Sequence, residues 1–382
     1  MKCSHFHHLI ALAILLGGCR TQLTSVPPTA AQPRLGDIRV RVVDGMHMIY
    51  VPSGEFIMGS NRDMAAYARR LCWDACGELA IAICRAAAFN DEQPAHKVRL
   101  RALWIDRTEV TNGQYRMCAD AGACAEPAER SSFSRVSYYD NPAFPSYPVV
   151  NVDWQMASTY CAWAGARLPA EAEWEYSARG PESRIFPWGD TFDKARVNYC
   201  DARCAGLADS THDDGFPDTS PVGAFPEGVS WAGALDMAGN VREWVGDWLA
   251  AYPRDVAENP GGPEAGEMKI PRGGSWYDTP DDIRSANRGG ELPDYYRHNL
   301  GFRCARDGQR VPCQTVITFP RSDIGAGRQA LIACPPPAPG LYLPQSRVRV
   351  PHPEPLRWPR QHTRSSSRSS TKLRACPNSI AA

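Results

Sequence analysis

Long apolar runs, an excess of one charge and the short motifs of common enzymes are all scarce in this 382-residue sequence. The apolar run at Leu9–Leu16 is too short to span a bilayer as a helix. Basic and acidic side chains number 42 each, and residues 19–341 carry more acidic than basic ones, so we expect no nucleic-acid partner. There is no P-loop, dinucleotide fingerprint, G-x-S-x-G elbow or His-Glu-x-x-His motif. These absences argue against the common nucleotide-dependent and hydrolytic enzymes.

The N-terminal end has the order of a bacterial export signal. Lys2 precedes the short apolar run, and Leu-Gly-Gly-Cys at Leu16–Cys19 follows it. This tetrapeptide resembles the lipobox, in which the cysteine becomes the lipidated first residue. We therefore predict a signal peptide over residues 1–18, a lipid on Cys19 and a flexible tether over residues 19–35, with an ordinary cleaved signal as the alternative. Arg20 favours the outer membrane, facing the periplasm or the surface, as the location of such a cell-envelope lipoprotein.

The C-terminal end changes character near residue 310. Residues 311–382 are rich in proline, arginine and serine and show neither helical nor strand periodicity. We predict a largely disordered tail. Its basic residues suit anionic lipid headgroups or cell-wall polymers, and a solvated tail without a partner is the alternative that we favour.

The region between the two ends has the pattern of short strands and a few capped helices. Alternating apolar residues predict strands within residues 37–45, 47–60 and 98–107. An alanine-rich composition predicts a helix at Arg62–Phe89. Cap residues and closing glycines predict helices from Thr111 through Met117, from Asp153 to Gly165 and from Pro169 to Gly180. Beyond Gly180 the chain is rich in turns, which indicates a loop-rich α+β protein.

Seven sequence blocks occur in the order found in one enzyme family. They are GEFIMGS, WIDRTEVTNGQY, PVVNVDWQMASTYCAWAGARLPAEAEWEYSARG, FPWGD, DMAGNVREWVGDW, PRGGSWYD and NLGFRCARD. Through these blocks the chain resembles, over roughly residues 46–307, the formylglycine-generating enzyme and sulfatase-modifying factor family. The resemblance implies a compact, loop-rich α+β domain with a C-type-lectin-like fold, stabilised by calcium. We place this domain at residues 36–310, with an insertion at residues 61–95.

The resemblance also implies two calcium sites on turning loops. Calcium takes about six to eight oxygen ligands, which carboxylates and main-chain carbonyls supply. A solvated acidic loop is the alternative at both places. The first site would use the side chains of Asp236 and Glu243 with the carbonyls of Gly239 and Val241. The second would use the side chains of Asn198 and Asp214 with the carbonyls of Tyr199 and Phe216.

The 14 cysteines are interpreted first as disulfides, because exported chains meet oxidants. The resemblance implies a bond between Cys161 and Cys304. We also predict the local bonds Cys118–Cys124 and Cys200–Cys204. The remaining central cysteines do not have a standard zinc spacing, and we expect them to pair with one another or with Cys313 or Cys334; they are Cys72, Cys76 and Cys84.

The block GGSWYDTPDDI, residues 273–283, stands where active members of the family carry two copper-binding cysteines five positions apart. On that pattern Asp278 occupies the first position and Ile283 the second. Thiolates are soft ligands for copper(I), whereas a carboxylate is hard and isoleucine offers no ligand atom. We therefore expect no copper and no oxidation of a substrate cysteine to formylglycine.

The sequence predicts a family fold with a lost family activity. Our first interpretation is a calcium-stabilised pseudoenzyme, anchored in the cell envelope, that binds a peptide or an envelope protein. The predicted binding groove comprises Ser275, Trp276, Tyr277, Asp278 and Arg288. Two alternatives stay open: a protein-modifying oxidoreductase with an altered active site, and a structural component of an envelope complex.

Overall fold

The computed structural model describes residues 32–76, 84, 89–204, 209 and 211–308. The predicted signal peptide, Cys19, most of the tether and the tail at residues 311–382 lie outside these residues. Within the described ranges, no helix has the length and apolar character needed to cross a membrane.

Short strands of the described chain form three small sheets rather than one large one. They are β1 (Ile38–Val40), β2 (His47–Val51), β3 (Gly54–Met58), β4 (His96–Leu100), β5 (Leu103–Asp106), β6 (Arg242–Trp248), β7 (Ala257–Glu258), β8 (Lys269–Arg272), β9 (Leu300–Phe302) and β10 (Ala305–Asp307). The first sheet has the order β1-β2-β5-β10 and is antiparallel throughout. The second has the order β3-β4-β7. The third has the order β8-β6-β9, so β6 lies at its centre.

Helices α1 (Arg62–Cys76), α2 (Asn112–Asp120), α3 (Trp154–Trp163) and α4 (Glu171–Arg179) pack around these sheets. The caps predicted for α2 and α3 are confirmed. Thr111 Oγ1 accepts the N–H of Gln114 at 3.3 Å, and Asp153 Oδ1 accepts the N–H of Met156 at 2.7 Å.

Two helix boundaries differ from the predictions. Helix α4 begins at Glu171 rather than at Pro169, because Ala170 is extended (φ −64°, ψ 153°) and its N–H donates to Glu173 Oε2 at 2.8 Å. The helix that begins at Arg62 does not reach Phe89, which lies in a turn. Alanine content favoured one long helix there, but α1 is described only as far as Cys76.

Strand β6 is buried between two cores. Trp244 packs into one core with Tyr115, Tyr160 and Phe302. The next residue, Val245, packs into the other core with Trp174. Because successive side chains of a strand point to opposite faces, β6 contributes to both cores at once. Residues just before and after β6 are therefore held in defined positions.

Disulfides close the loops of the domain. The predicted bonds Cys161–Cys304, Cys118–Cys124 and Cys200–Cys204 are confirmed. Cys72 and Cys84 also form a disulfide, which is one of the pairings left open for the cysteines of the insertion. Cys161 lies on α3 and Cys304 between β9 and β10, so this bond joins the central helix to the last two strands.

Candidate functional site

The loop at residues 273–283 leaves β8 through two glycines with a left-handed backbone. Gly273 and Gly274 have φ values of 89° and 65°. A Cβ on Gly274 would lie 2.7 Å from Cγ2 of Ile283 and 2.8 Å from the carbonyl oxygen of Asp282. Glycine is therefore required at this position, since the loop folds back on itself too tightly for a side chain.

Asp278 is fully buried and its carboxylate is held by neighbouring side chains. Arg242 donates from Nε to Oδ2 at 2.9 Å and from Nη2 to Oδ1 at 2.8 Å, and Ser275 Oγ donates to Oδ2 at 2.7 Å. Ser275 Oγ in turn accepts from Asn299 Nδ2 at 2.9 Å. A bidentate guanidinium pair of this kind is among the stronger hydrogen-bonded arrangements in proteins. The carboxylate is thus part of a closed polar network.

Ile283 lies in a separate, apolar environment. It is fully buried and belongs to a cluster with Leu71, Phe186, Val197 and Tyr199. The second position of the family's cysteine pair is therefore a core position here. Together, Asp278 and Ile283 offer a hard anionic group and a hydrocarbon, so the residues present do not fit copper(I).

The structure corrects the predicted binding groove. Ser275, Trp276 and Asp278 are buried, and only Tyr277 of that run is partly exposed. The side chain of Arg288 points elsewhere: it donates from Nη2 to Glu171 Oε2 at 2.7 Å and lines a cavity of about 280 Å³ next to Tyr252. The five residues therefore do not form one open groove, because most of their polar atoms are satisfied inside the domain.

An aromatic surface that the sequence did not predict lies beside this loop. Phe133, 49% exposed, packs at 5.2 Å between ring centroids from Trp276 and at 5.0 Å from His298. The loop that carries Phe133 is fixed at Asp218, whose Oδ2 accepts from Ser132 Oγ at 2.6 Å. Burial, followed by Arg297, lowers the pKa of His298 to about 4, so this imidazole is neutral at pH 7. Phe133 is remote in sequence, and no local motif marks it.

The second predicted calcium site has buried oxygens without partners. Asn198 Oδ1 and Asp214 Oδ2 are buried and have no hydrogen-bond partner among the described residues. Oxygen atoms of Asp201, Asp213 and Asp214 lie within 4.8 Å of one another. Burial, followed by Asp201 and Asp213, raises the pKa of Asp214 to about 7. This oxygen-rich donor set fits a hard cation such as calcium.

At the first predicted calcium site, carboxyl groups outnumber their counter-charge. Asp236 Oδ2 accepts the N–H of Gly223 at 2.6 Å, and Arg303 donates to both oxygens of Glu243 at 2.6 Å. Glu109, which the sequence analysis missed, is also buried here, and its Oε2 lacks a partner in the described part of the chain. Burial, with Asp236 and Glu243 nearby, raises the pKa of Glu109 well above its usual range. Three buried carboxyls around one guanidinium fit a bound cation.

The two loops that are predicted to bind calcium pack directly against each other. Gly239 has φ 73°, and a Cβ there would lie 2.2 Å from the carbonyl oxygen of Asn198. Asn240 donates from its N–H to that carbonyl at 2.9 Å and from Nδ2 to Glu109 Oε1 at 2.9 Å. The main-chain positions Val241, Tyr199 and Phe216 belong to the same two loops, and Val241 directly precedes β6. Asn240 thus couples the two sites.

The fold and this site define a loop-rich α+β domain of the formylglycine-generating type. The family model "Sulfatase-modifying factor enzyme 1-like domain" matches residues 37–308, and the chain belongs to this family. It is 33% identical to the formylglycine-generating enzyme of Streptomyces coelicolor over 326 residues, covering 74% of this chain and 93% of that protein. It is 30% identical to the mouse "Inactive C-alpha-formylglycine-generating enzyme 2", covering 69% of this chain and 86% of that protein.

Among solved structures, the chain is similar to PvdO from Pseudomonas aeruginosa. The TM-score is 0.54 at 28% identity, and the match covers 73% of this chain and all of that one. The relatives of this chain thus include one named for the activity and one named inactive.

Proposed function

We propose that this chain is a family member without copper-dependent cysteine oxidation, and that it serves as a calcium-stabilised binding module of the cell envelope. The observation that carries this proposal is the identity and environment of the residues at positions 278 and 283, where active family members carry copper-binding cysteines. Asp278 is bound by Arg242, and Ile283 is packed in the core. Neither side chain supplies the soft ligand that copper(I) requires.

Calcium has a structural role in this proposal. Buried oxygens of Asn198, Asp214 and Glu109 have no hydrogen-bond partner among the described residues, and they support cation binding because a buried polar atom without a partner is costly. Bound calcium would hold the chain around Asn198, Asp214 and Asp236, which lies next to the start of β6. In this proposal calcium therefore stabilises the fold and takes no part in a reaction step.

The proposed setting follows from the sequence of the N-terminal end. A lipid on Cys19 would attach the domain to a membrane. The domain would then bind partners that lie within reach of the tether. The partner class that we propose is a peptide or an envelope protein. The exposed Phe133 and the partly exposed Tyr277 and His298 give a fixed aromatic surface for such a partner.

Copper(I) affinity tests the loss of the family site. We expect a competition titration with a chromogenic copper(I) chelator to detect no high-affinity site in the unsubstituted chain. The variant Asp278→Cys/Ile283→Cys, with near-ultraviolet circular dichroism as the folding control, should gain one. Copper binding by the unsubstituted chain as tight as that of the Streptomyces coelicolor enzyme, measured in parallel, would contradict the proposal.

An oxidoreductase with an altered site is the second candidate, and one contact favours it. The N–H of Cys200 donates to the carbonyl of Asp278 at 3.0 Å, and the Cys200–Cys204 disulfide packs against Trp276. Such a disulfide could accept two electrons from a substrate dithiol, giving a substrate disulfide and two protein thiols. Burial of both cysteines opposes this exchange. To test this candidate, the chain is incubated with a dithiol peptide, alkylated and analysed by mass spectrometry. Rapid labelling of both Cys200 and Cys204 supports the candidate.

A further inference from the structure

The turn between β1 and β2 projects apolar side chains into solvent. Val42 is 97% exposed and Val43 43% exposed. The turn is closed by main-chain hydrogen bonds from Arg41 to Met46 at 2.7 Å and from Gly45 to Arg41 at 2.8 Å. We call Val42 and Val43 the valine tip.

The base of the valine tip is fixed by buried charges. Arg41 donates from Nη2 to Asp44 at 2.6 Å and from Nη1 to Asp106 at 2.7 Å, and all three residues are buried. Tyr160 Oη donates to Asp44 Oδ2 at 2.6 Å. The turn is therefore held in one conformation by α3 and β5, so a binding partner would not have to order it.

Further apolar residues extend the tip along the edge of the first sheet. Strand β1 is the outer strand in the order β1-β2-β5-β10. Leu35, Ile38 and Val40 are each about half exposed along this segment. Single exposed apolar residues are ordinary, but a continuous rigid group of them marks an interaction surface.

We propose that the valine tip docks on a lipid surface and orients the domain on the membrane. This inference rests on the lipid anchor that we propose at Cys19. Val42 lies 23 positions after Cys19, so a chain that extends at most about 3.5 Å per residue keeps the tip within about 80 Å of the bilayer. Arg34 and Arg39 are exposed in the segment that leads to the tip, with Asp37 between them and with the Arg39 guanidinium over the Trp104 ring, and arginines suit anionic headgroups. A second attachment that also binds on its own strengthens membrane binding greatly when a tether already holds the domain close.

Vesicle co-sedimentation tests this inference directly. The chain from residue 20 to residue 382 keeps every described strand and helix and carries no lipid. Vesicles of phosphatidylglycerol and phosphatidylethanolamine are the probe. Val42→Ser/Val43→Ser should lower the fraction bound by about tenfold or more, because two apolar side chains that enter the lipid on docking are lost. Val136→Ser is the matched control, since Val136 is 95% exposed on a different loop and should have no effect.

The inference would be overturned if Val42→Ser/Val43→Ser bound the vesicles as well as Val136→Ser does. It would also be overturned if the unsubstituted chain did not bind. A dimer in analytical ultracentrifugation that the tip variant abolishes would also overturn it, in favour of contact between copies. Mass spectrometry of the chain from native envelopes tests the anchor separately. An unmodified Cys19 would refute the anchor while leaving the vesicle result to stand, and a lipidated Cys19 with equal vesicle binding would refute only the tip.

Discussion

Arg242, the first residue of β6, forms two parallel hydrogen bonds with Asp278, at 2.9 Å and 2.8 Å. The side chain of Arg242 is 24% exposed, whereas that of Asp278 is 1% exposed. The guanidinium therefore covers the carboxylate from the solvent side. Because β6 is fixed by two cores, this cover has a defined position over the loop at residues 273–283.

Removing Arg242 should leave a buried carboxylate without its counter-charge. We expect Arg242→Met to lower the free energy of unfolding by about 3–5 kcal/mol, the range found when one partner of a buried pair is lost. Arg242→Met/Asp278→Ser should recover part of that loss. Urea unfolding measures both variants, and Arg130→Met, which removes an exposed pair with Asp140, should change much less. Equal effects of Arg242→Met and Arg130→Met would contradict this account.

Calcium should stabilise the domain through the loop that carries Asp214. A free concentration of 100 times the dissociation constant stabilises a one-site protein by about 2.7 kcal/mol, or roughly 5–10 °C in Tm for a domain of this size. Asp214→Asn keeps an acceptor for the N–H of Phe216 but removes a charged ligand, so calcium should shift its Tm less. The exposed Asp294→Asn is the control. A Tm that neither calcium nor a chelator moves would argue against both sites.

Asp247 should make stability depend on pH. Its Oδ2 accepts the N–H of Glu171 at 2.8 Å, and burial, followed by Glu171, raises the pKa of Asp247 to about 7. The folded state keeps a proton that the unfolded state releases between about pH 4 and pH 7, so the free energy of unfolding falls as pH rises through this window.

Asp247→Asn removes this titration and keeps an acceptor for Glu171. Relative to the unsubstituted chain, we expect the variant to gain up to about 2–3 kcal/mol between pH 5 and pH 8. Urea unfolding at the two pH values gives the difference, with Asp294→Asn as the exposed control. A difference that does not change with pH would show that Asp247 titrates normally in the folded state.

The Cys161–Cys304 bond should contribute more stability than the Cys118–Cys124 bond. The two bonds span 143 and 6 positions. The chain-entropy estimate gives about 5 kcal/mol for the long loop and about 2 kcal/mol for the short one. Double Cys→Ala variants compared by denaturant midpoint test this order, and a larger loss for the short loop would reverse it.

Local patterns predicted much of this fold because their causes are local. The caps Thr111 and Asp153 act on their own helices, and alternation placed the strands around Ile49 and Ile105. The family, its disulfides and the loops around Asp214 and Asp236 came from ordered motifs. Contacts between distant residues were missed, such as Arg242 with Asp278 and Phe133 with Trp276, because no sequence period relates them. For the same reason, the sequence predicts Arg288 in the binding groove, whereas its side chain donates a hydrogen bond to Glu171.

We propose that this domain keeps the family fold without the family's cysteine oxidation. A direct test is to incubate the purified, calcium-loaded chain with copper(I), oxygen and a peptide bearing the sulfatase cysteine motif, next to the Streptomyces coelicolor enzyme. Mass spectrometry then follows conversion of the cysteine to an aldehyde. We predict product with the Streptomyces enzyme and none with this chain. Aldehyde formed at a comparable rate by this chain would contradict the proposal and would place the chemistry on thiols elsewhere in the chain, because positions 278 and 283 carry none.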